Sequence, residues 1–172
     1  MATRSDLDAI RGVHLSAFPE AEREMVARLA IDLLCEESNP PIVSLVAETD
    51  GAVVAHGAFS PVSIEHSEAL NGYILAPLGV RPAFQGRGIG SRLVRSGLQR
   101  LTRSGAHILF VYGDPGYYGR FGFGAEPADR YIPPYRLQYP FGWQSIALNG
   151  FNSEGTSRNL RCVDSLCDPA FW

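Results

Sequence analysis

Gln85-Gly86-Arg87-Gly88-Ile89-Gly90 lies between an apolar run, residues 74–80, and an amphipathic helical pattern, and its reading decides the fold of this chain. Glycines at alternate positions let the backbone approach a ligand closely and aim successive N–H groups at one point. The helix that follows adds the positive end of its dipole at the same place. The stretch therefore reads as a cradle for an anion such as a phosphate.

The order strand, glycine turn, helix carries more weight than the glycines, because a lone glycine cluster commonly marks an ordinary tight turn. Residues 81–103 hold six arginines (Arg81, Arg87, Arg92, Arg95, Arg100 and Arg103) and no acidic residue, in a chain of net charge −3, so the remainder carries −9. This segregation either concentrates a polyanionic small ligand near the cradle or marks a solvated helix face.

At 172 residues, 45% hydrophobic and 19% charged, the chain has the make-up of one globular domain. No apolar run approaches the roughly 20 residues that span a bilayer, and residues 1–10 are polar, without a signal-peptide core. A cytoplasmic protein with no membrane partner is expected. Cys35, Cys162 and Cys167 form no zinc-like pair, so neither a disulfide nor a metal site is expected. The chain has no lysine, which excludes a Schiff base and a Walker A phosphate loop. A dinucleotide G-x-G-x-x-G fails at its third spacing, because Ser91 and Arg92 follow Gly90. His14, His56, His66 and His107 have no nucleophile at a recognisable spacing, so a hydrolytic triad is unsupported.

Outward from the cradle, Ser5 or Asp6 is expected to cap a helix through Ala17, and Pro19 breaks that run. A second helix is predicted over residues 21–35, with Met25, Leu29 and Leu33 at four-residue spacing. Residues 43–48 and 52–59, joined by Asp50-Gly51, predict a hairpin. Residues 72–80 read as a central strand except at Pro77, which cannot donate to a ladder and predicts a bulge or a gap beside the next strand. On the following helix Ile89, Leu93, Val94, Leu98 and Leu101 share one half of the wheel, with Arg92, Arg95, Gln99 and Arg103 opposite. Residues 107–112 are the next buried strand. A right-handed crossover between two parallel strands places the glycine turn at a strand's carboxyl end, where α/β sheets bind ligands.

The sequence Leu78-Gly79-Val80-Arg81-Pro82-Ala83-Phe84-Gln85-Gly86-Arg87-Gly88-Ile89-Gly90-Ser91-Arg92-Leu93 resembles the acetyl-CoA motif of the GNAT superfamily of N-acetyltransferases, Q/R-x-x-G-x-G/A. A second block, Gly113-Asp114-Pro115-Gly116-Tyr117-Tyr118-Gly119-Arg120-Phe121-Gly122-Phe123, resembles the family's later F-Y-x-x-x-G-F segment, in a variant seen among small bacterial members. Two blocks in the right order are more specific than either alone, and the resemblance covers about residues 3–125. Beyond Ala125, only Cys167-Asp168-Pro169-Ala170-Phe171 is similar to the carboxyl ends of that subgroup. The family usually opens with an edge strand, for which Met1-Ala2-Thr3-Arg4 leaves almost no room.

The resemblance implies an α/β (α+β) fold: a mixed, partly splayed sheet flanked by helices, one domain over 1–172 in which 1–125 form the acetyl-CoA-binding core. It implies that backbone groups of Leu78, Gly79 and Val80 pair with the pantetheine arm where two strands splay. N–H groups of Gln85, Gly86, Arg87, Gly88, Ile89, Gly90 and Ser91 would hold the pyrophosphate. Asp114 and Tyr117 would lie beside the cofactor, Tyr117 packing either on it or in the core. Tyr118 matches the family tyrosine that acts as general acid, and its plain alternative is an aromatic core residue beside Phe121 and Phe123.

In the implied reaction a neutral amine attacks the thioester carbonyl of acetyl-CoA, an oxyanion forms, and the thiolate leaves with a proton from the general acid. Asp114, Glu65 and Glu68 are the candidate bases, each equally a surface carboxylate; Asp114-Pro115 is also a good helix-start pair. Residues 126–172 combine prolines with aromatics: Tyr131-Ile132-Pro133-Pro134-Tyr135 and Tyr139-Pro140-Phe141-Gly142-Trp143, then strands near 144–148 and 159–163. They form a wall of the acceptor pocket, a cover for an open sheet edge or a homodimer contact. Their few charges argue against a nucleic-acid partner. The expected acceptor is a small-molecule amine; the alternatives are a protein N-terminus or lysine, or a non-catalytic acyl-CoA sensor.

Overall fold

The computed structural model describes residues 1–65, 70–152 and 157–172. His66 and Glu68 lie outside the described residues. The helices are α1 (Leu7–Ala17), α2 (Arg23–Cys35), α3 (Ile89–Arg103) and the single turn α4 (Pro115–Tyr118). The strands are β1 (Val43–Thr49), β2 (Ala52–Ile64), β3 (Gly72–Val80), β4 (Ile108–Tyr112), β5 (Tyr131–Ile132), β6 (Trp143–Ala147) and β7 (Arg158–Cys162). They hydrogen-bond in the order β5-β7-β2-β3-β4-β6, with β1 also paired to β2, in a mixed sheet flanked by helices. The contacts divide the chain into two compact units: Met1–Phe59 with Ala76–Gly97, and Ser60–Leu75 with Leu98–Trp172.

In the first unit, Asp6 holds the N-cap position of α1 as expected but makes no side-chain capping bond. Its carboxylate turns back to accept the Thr3 N–H at 2.7 Å, and a 3-10 turn over Arg4–Asp6 leads into the helix. The acid of a capping box serves the preceding backbone in this way. Helix α2 begins at Arg23 rather than 21, because Glu22 and Arg23 both donate to the Pro19 carbonyl in a preceding turn. Leu29 and Leu33 are buried as their spacing predicts. The β1–β2 hairpin closes through Asp50 (φ 51°) and Gly51 (φ 75°), two left-handed residues whose twist matches that of the strands. Residues 1–3 form no strand, and the Ala2 N–H donates to the Ser44 carbonyl of β1 at 2.9 Å. Helix α3 packs so closely on β2 that a Cβ on Gly97 would fall 1.9 Å from Phe59 Cζ.

In the second unit, β3 and β4 run parallel from Gly72↔Ile108 to Leu75↔Val111. The ladder ends there, just before the cis Ala76-Pro77 bond, although β3 continues to Val80. The regular pairing stops beside Pro77, as the missing donor predicts. Strand β2 extends five residues past the expected Phe59, because Val62, Ser63 and Ile64 find partners in β7. Strands β6 and β7 each begin one residue earlier than predicted. Phe110 of β4 organises the tail aromatics: Trp143 stacks on it at 5.3 Å, Tyr131 meets it edge-on at 5.0 Å, and Trp143 Nε1–H donates to the Tyr131 carbonyl at 3.0 Å. Tyr131, Trp143 and Trp172 are therefore core, whereas Tyr139 and Phe141 stay exposed.

Candidate active site

The cradle belongs to the first unit and is built almost entirely from backbone. Gly86 (φ 71°) and Gly88 (φ 73°) adopt left-handed conformations that other residues resist, and a Cβ on Gly86 would meet nothing within 4 Å. The Arg92 N–H donates to the Gly88 carbonyl, the opening hydrogen bond of α3. Ile89, Gly90 and Ser91 thus occupy the helix start, where N–H groups have no intrahelical acceptor and the dipole is positive. Gln85 Nε2 donates back to the Val80 carbonyl at 2.9 Å, tying the loop to the end of β3 and bringing the two expected contact stretches, Leu78–Val80 and Gln85–Ser91, together.

The apolar half of α3 is buried as expected, with Ile89, Leu93, Val94 and Leu101 in the core, while Leu98 is half-buried. The arginines divide by role. Arg81 is a structural residue: its backbone N–H and its Nε donate to Val54 and Val53 carbonyls, and its guanidinium lies against Gly12 of α1. Arg87 is exposed, stacked 5.3 Å over the Phe84 ring at the loop itself. A polyanion would meet Arg87 and Arg92 rather than all six charges.

The second block forms a tight turn after β4, in the second unit. Asp114 Oδ1 accepts the Gly116 N–H at 2.8 Å, and its carbonyl accepts the N–H groups of Tyr117 and Tyr118. The helix-start reading of Asp114-Pro115 is what the geometry displays. Tyr118 is half-buried, with Tyr117 at 5.0 Å and Phe123 at 5.8 Å, both edge-on. Burial pushes its phenol well above the ordinary value, helped by Tyr117 and Asp114, so it stays protonated through neutral pH. A neutral phenol is the form that can donate a proton. Tyr117 packs against Phe121 and carries Arg120 4.4 Å over its ring.

Gly113 supports this turn. A Cβ there would strike Tyr118 Cε2 at 2.6 Å; the Gly113 N–H donates to Gly142, and its carbonyl accepts Gln144 Nε2–H at 3.1 Å. Tyr139 N–H donates to Tyr112 Oη at 2.8 Å, fixing the exposed Tyr139–Phe141 pair near the same strand end. Glu65 accepts the Asn159 Nδ2–H and lines a cavity of about 480 Å³ with Pro133, Pro134, Tyr135, Arg161 and Asp164. Among the described residues no group of three or more His, Cys, Asp or Glu side chains converges as a metal site would require.

The residues that the motifs do not reveal are His14 and His56. Both are fully buried and bonded to each other at 2.8 Å; burial holds His14 down to about 3, with His56 adding to the effect, and holds His56 down to about 4. The one sequence signal is position: His14 occupies a place on the apolar face of α1 beside Ile10 and Val13.

A family model described as the Acetyltransferase (GNAT) family matches residues 7–123. The chain is 34% identical over 167 residues, 94% of its length and 89% of the relative's, to YjhQ of Escherichia coli K12, an uncharacterized N-acetyltransferase. It is 38% identical over 103 residues to YhbS of the same organism, also an uncharacterized N-acetyltransferase, covering 59% of this chain and 60% of that one. The crystal structure of the Escherichia coli GNAT family N-acetyltransferase YhbS in complex with CoA is similar at a TM-score of 0.78 and 27% identity, covering 95% of this chain and 88% of that one. A GNAT family acetyltransferase from Brucella melitensis in complex with acetyl-CoA is similar at a TM-score of 0.71 and 31% identity, covering 95% and 94%.

Proposed function

The chain belongs to the GNAT acetyltransferase family, and on that premise we propose that it transfers the acetyl group of acetyl-CoA to the primary amine of a small molecule by direct attack. The observation that carries the proposal is the cradle: left-handed Gly86 faces empty space and left-handed Gly88 faces only the Arg92 guanidinium, 4.0 Å from where a Cβ would stand, beside the N-terminus of a 15-residue helix. That arrangement suits a diphosphate, and solved relatives hold CoA or acetyl-CoA. The backbone of Leu78, Gly79 and Val80 is left without a β4 partner once the β3–β4 ladder ends at Leu75, which supports their pairing with the pantetheine arm.

In the proposed reaction the amine nitrogen adds to the thioester carbonyl carbon, and the carbonyl electrons move to oxygen. Collapse breaks the C–S bond, and the Tyr118 hydroxyl gives its proton to the departing thiolate. The phenol carries the proton this donation needs, and the burial that raises it makes it a weaker acid in the resting site, so the donation would run with the charge that develops on sulfur. Asp114 and Tyr117 would flank the acyl donor, and Asp114 or Glu65 would take the ammonium proton, directly or through water. A protein amine is the runner-up acceptor. The proposed protein is cytoplasmic, contacts neither nucleic acid nor membrane, and forms a homodimer through its exposed tail aromatics.

A CoA-release screen across small amines and peptides tests this reading. Turnover with small amines is expected, and in Tyr118→Phe kcat should fall by about 10²-fold or more with little change in acetyl-CoA affinity. Thermal stabilisation by acetyl-CoA with no CoA release from any amine would mean a binding domain instead.

A further inference from the structure

Within the first unit, a chain of polar side chains crosses the core from β1 to β3. Ser44 Oγ lies 2.8 Å from His56 Nε2, and His56 Nδ1 lies 2.8 Å from His14 Nε2. His14 Nδ1, at the far end, has no hydrogen-bond partner among the described residues, although both rings are wholly buried. A buried nitrogen left in this state destabilises the fold unless its position does something else. It points at Gly79: a Cβ added there would sit 2.8 Å from Nδ1 and 2.9 Å from Cε1.

The unpartnered Nδ1 decides the tautomers. A hydrogen on Nδ1 would be a buried donor with no acceptor among the described residues, whereas a bare lone pair leaves only an acceptor unmet, the milder omission. His14 therefore carries its hydrogen on Nε2 and donates to His56 Nδ1, and His56 Nε2–H donates to Ser44 Oγ. Each ring's orientation is set by its neighbour, as in any fully connected buried network. The rings are too weakly basic to take a proton from an ammonium ion, so the chain acts by geometry.

We propose that the Ser44–His56–His14 chain is a positioning device that holds the backbone at Gly79, and so sets the edge that Leu78, Gly79 and Val80 present to the pantetheine arm. The inference rests on the reading of Leu78–Val80 as the arm's contact, and it explains why residue 79 has no side chain: the imidazole occupies that space.

The experiment separates the arm from the phosphates. Coenzyme A carries both, and adenosine 3′,5′-bisphosphate carries phosphates without the arm. His14→Phe keeps the volume and removes the chain; it should weaken coenzyme A by about tenfold and the bisphosphate by less than about twofold in calorimetric titration. Gly79→Ala should do the same by pushing on the ring from the other side. Ser44→Ala, the mildest change, should shift the ratio in the same direction by a smaller factor, and it carries the test if His14→Phe does not fold. Equal weakening of both ligands, or no change in either, overturns the proposal. Gly88→Glu controls the underlying reading: it should lose both ligands. Coenzyme A retained by Gly88→Glu would remove the cradle assignment and this proposal with it, an outcome distinct from a failure confined to the histidine variants.

Discussion

Glycines serve opposite purposes in two parts of this molecule. At the cradle, Gly86 and Gly88 are left-handed and uncrowded, with nothing within 4 Å of a Cβ on Gly86 and only the Arg92 guanidinium at 4.0 Å from one on Gly88, so what a side chain would spoil is the backbone conformation and the room for a ligand. At Gly97 and Gly113 the space is already filled, by the Phe59 ring in one case and the Tyr118 ring in the other. The residue type is the same and the physical demand is not. Substitutions at the first pair should act on binding, and substitutions at the second should act on folding or on the placement of Tyr118.

The largest expected effect tests the open class. Gly88→Glu should lower coenzyme A affinity by about 10²-fold or more, because it adds bulk and a negative charge where a diphosphate is proposed to sit, and the left-handed φ adds a stability cost of about 1 kcal/mol. Isothermal titration beside a melting curve checks this; a large loss of stability would place Gly88 with the crowded glycines. Gly97→Ala should show the reverse pattern, costing about 3 kcal/mol in urea unfolding with coenzyme A affinity of the folded protein unchanged. Part of that loss should return when Phe59→Leu is added, since the smaller side chain vacates the contested space.

A smaller effect is expected at Gly113→Ala, where the new methyl can be met by a shift of the Tyr118 ring: kcat should fall by about tenfold, or 1.4 kcal/mol, at constant acetyl-CoA affinity. Unchanged turnover would mean that the position of Tyr118 does not matter to the chemistry.

The smallest effect concerns the buried histidines. Their folded values, about 3 for His14 and about 4 for His56, lie below the ordinary 6.5, so the unfolded chain binds more protons as pH falls. Their contribution is fully present above about pH 6.5 and is lost progressively as pH drops toward 4 and then 3. Between pH 7 and pH 6 the pair should lower stability by about 1 kcal/mol, and His14→Phe should remove about half of that slope. Identical slopes in the two proteins would show that His14 is not held neutral by the fold.

How much was legible follows from the range of the interactions involved. The hairpin at Asp50-Gly51, the two faces of α3 and the glycine cradle each depend on neighbours within a turn or two, and each appears where its local pattern predicts. Pro77 announced the end of the β3–β4 ladder because a missing N–H is a property of the residue itself. The ends of elements were less legible. Asp6 stands at the expected N-cap of α1 but its carboxylate bonds Thr3 rather than the helix, and β2 outruns its expected end because β7, about a hundred residues later, supplies its partners.

The histidine chain lay beyond reach for the same reason. His14 and His56 are 42 positions apart, and each alone looks like a polar interruption of an apolar surface. Gly97 reads as a weak helix residue until the Phe59 ring is seen against it.

The linear order of residues carried the hairpin, the two faces of α3 and the glycine turn, because periodicity, turn chemistry and a missing donor act over a few bonds, and it carried the class of fold through the two motif blocks that resemble the family. Packing alone decided which glycines are crowded, that Arg81 is structural, that burial raises the Tyr118 phenol, and that a chain of one serine and two histidines ends against Gly79. Those outcomes depend on contacts between segments far apart in the chain, and a contact of that kind leaves no mark on either segment read separately.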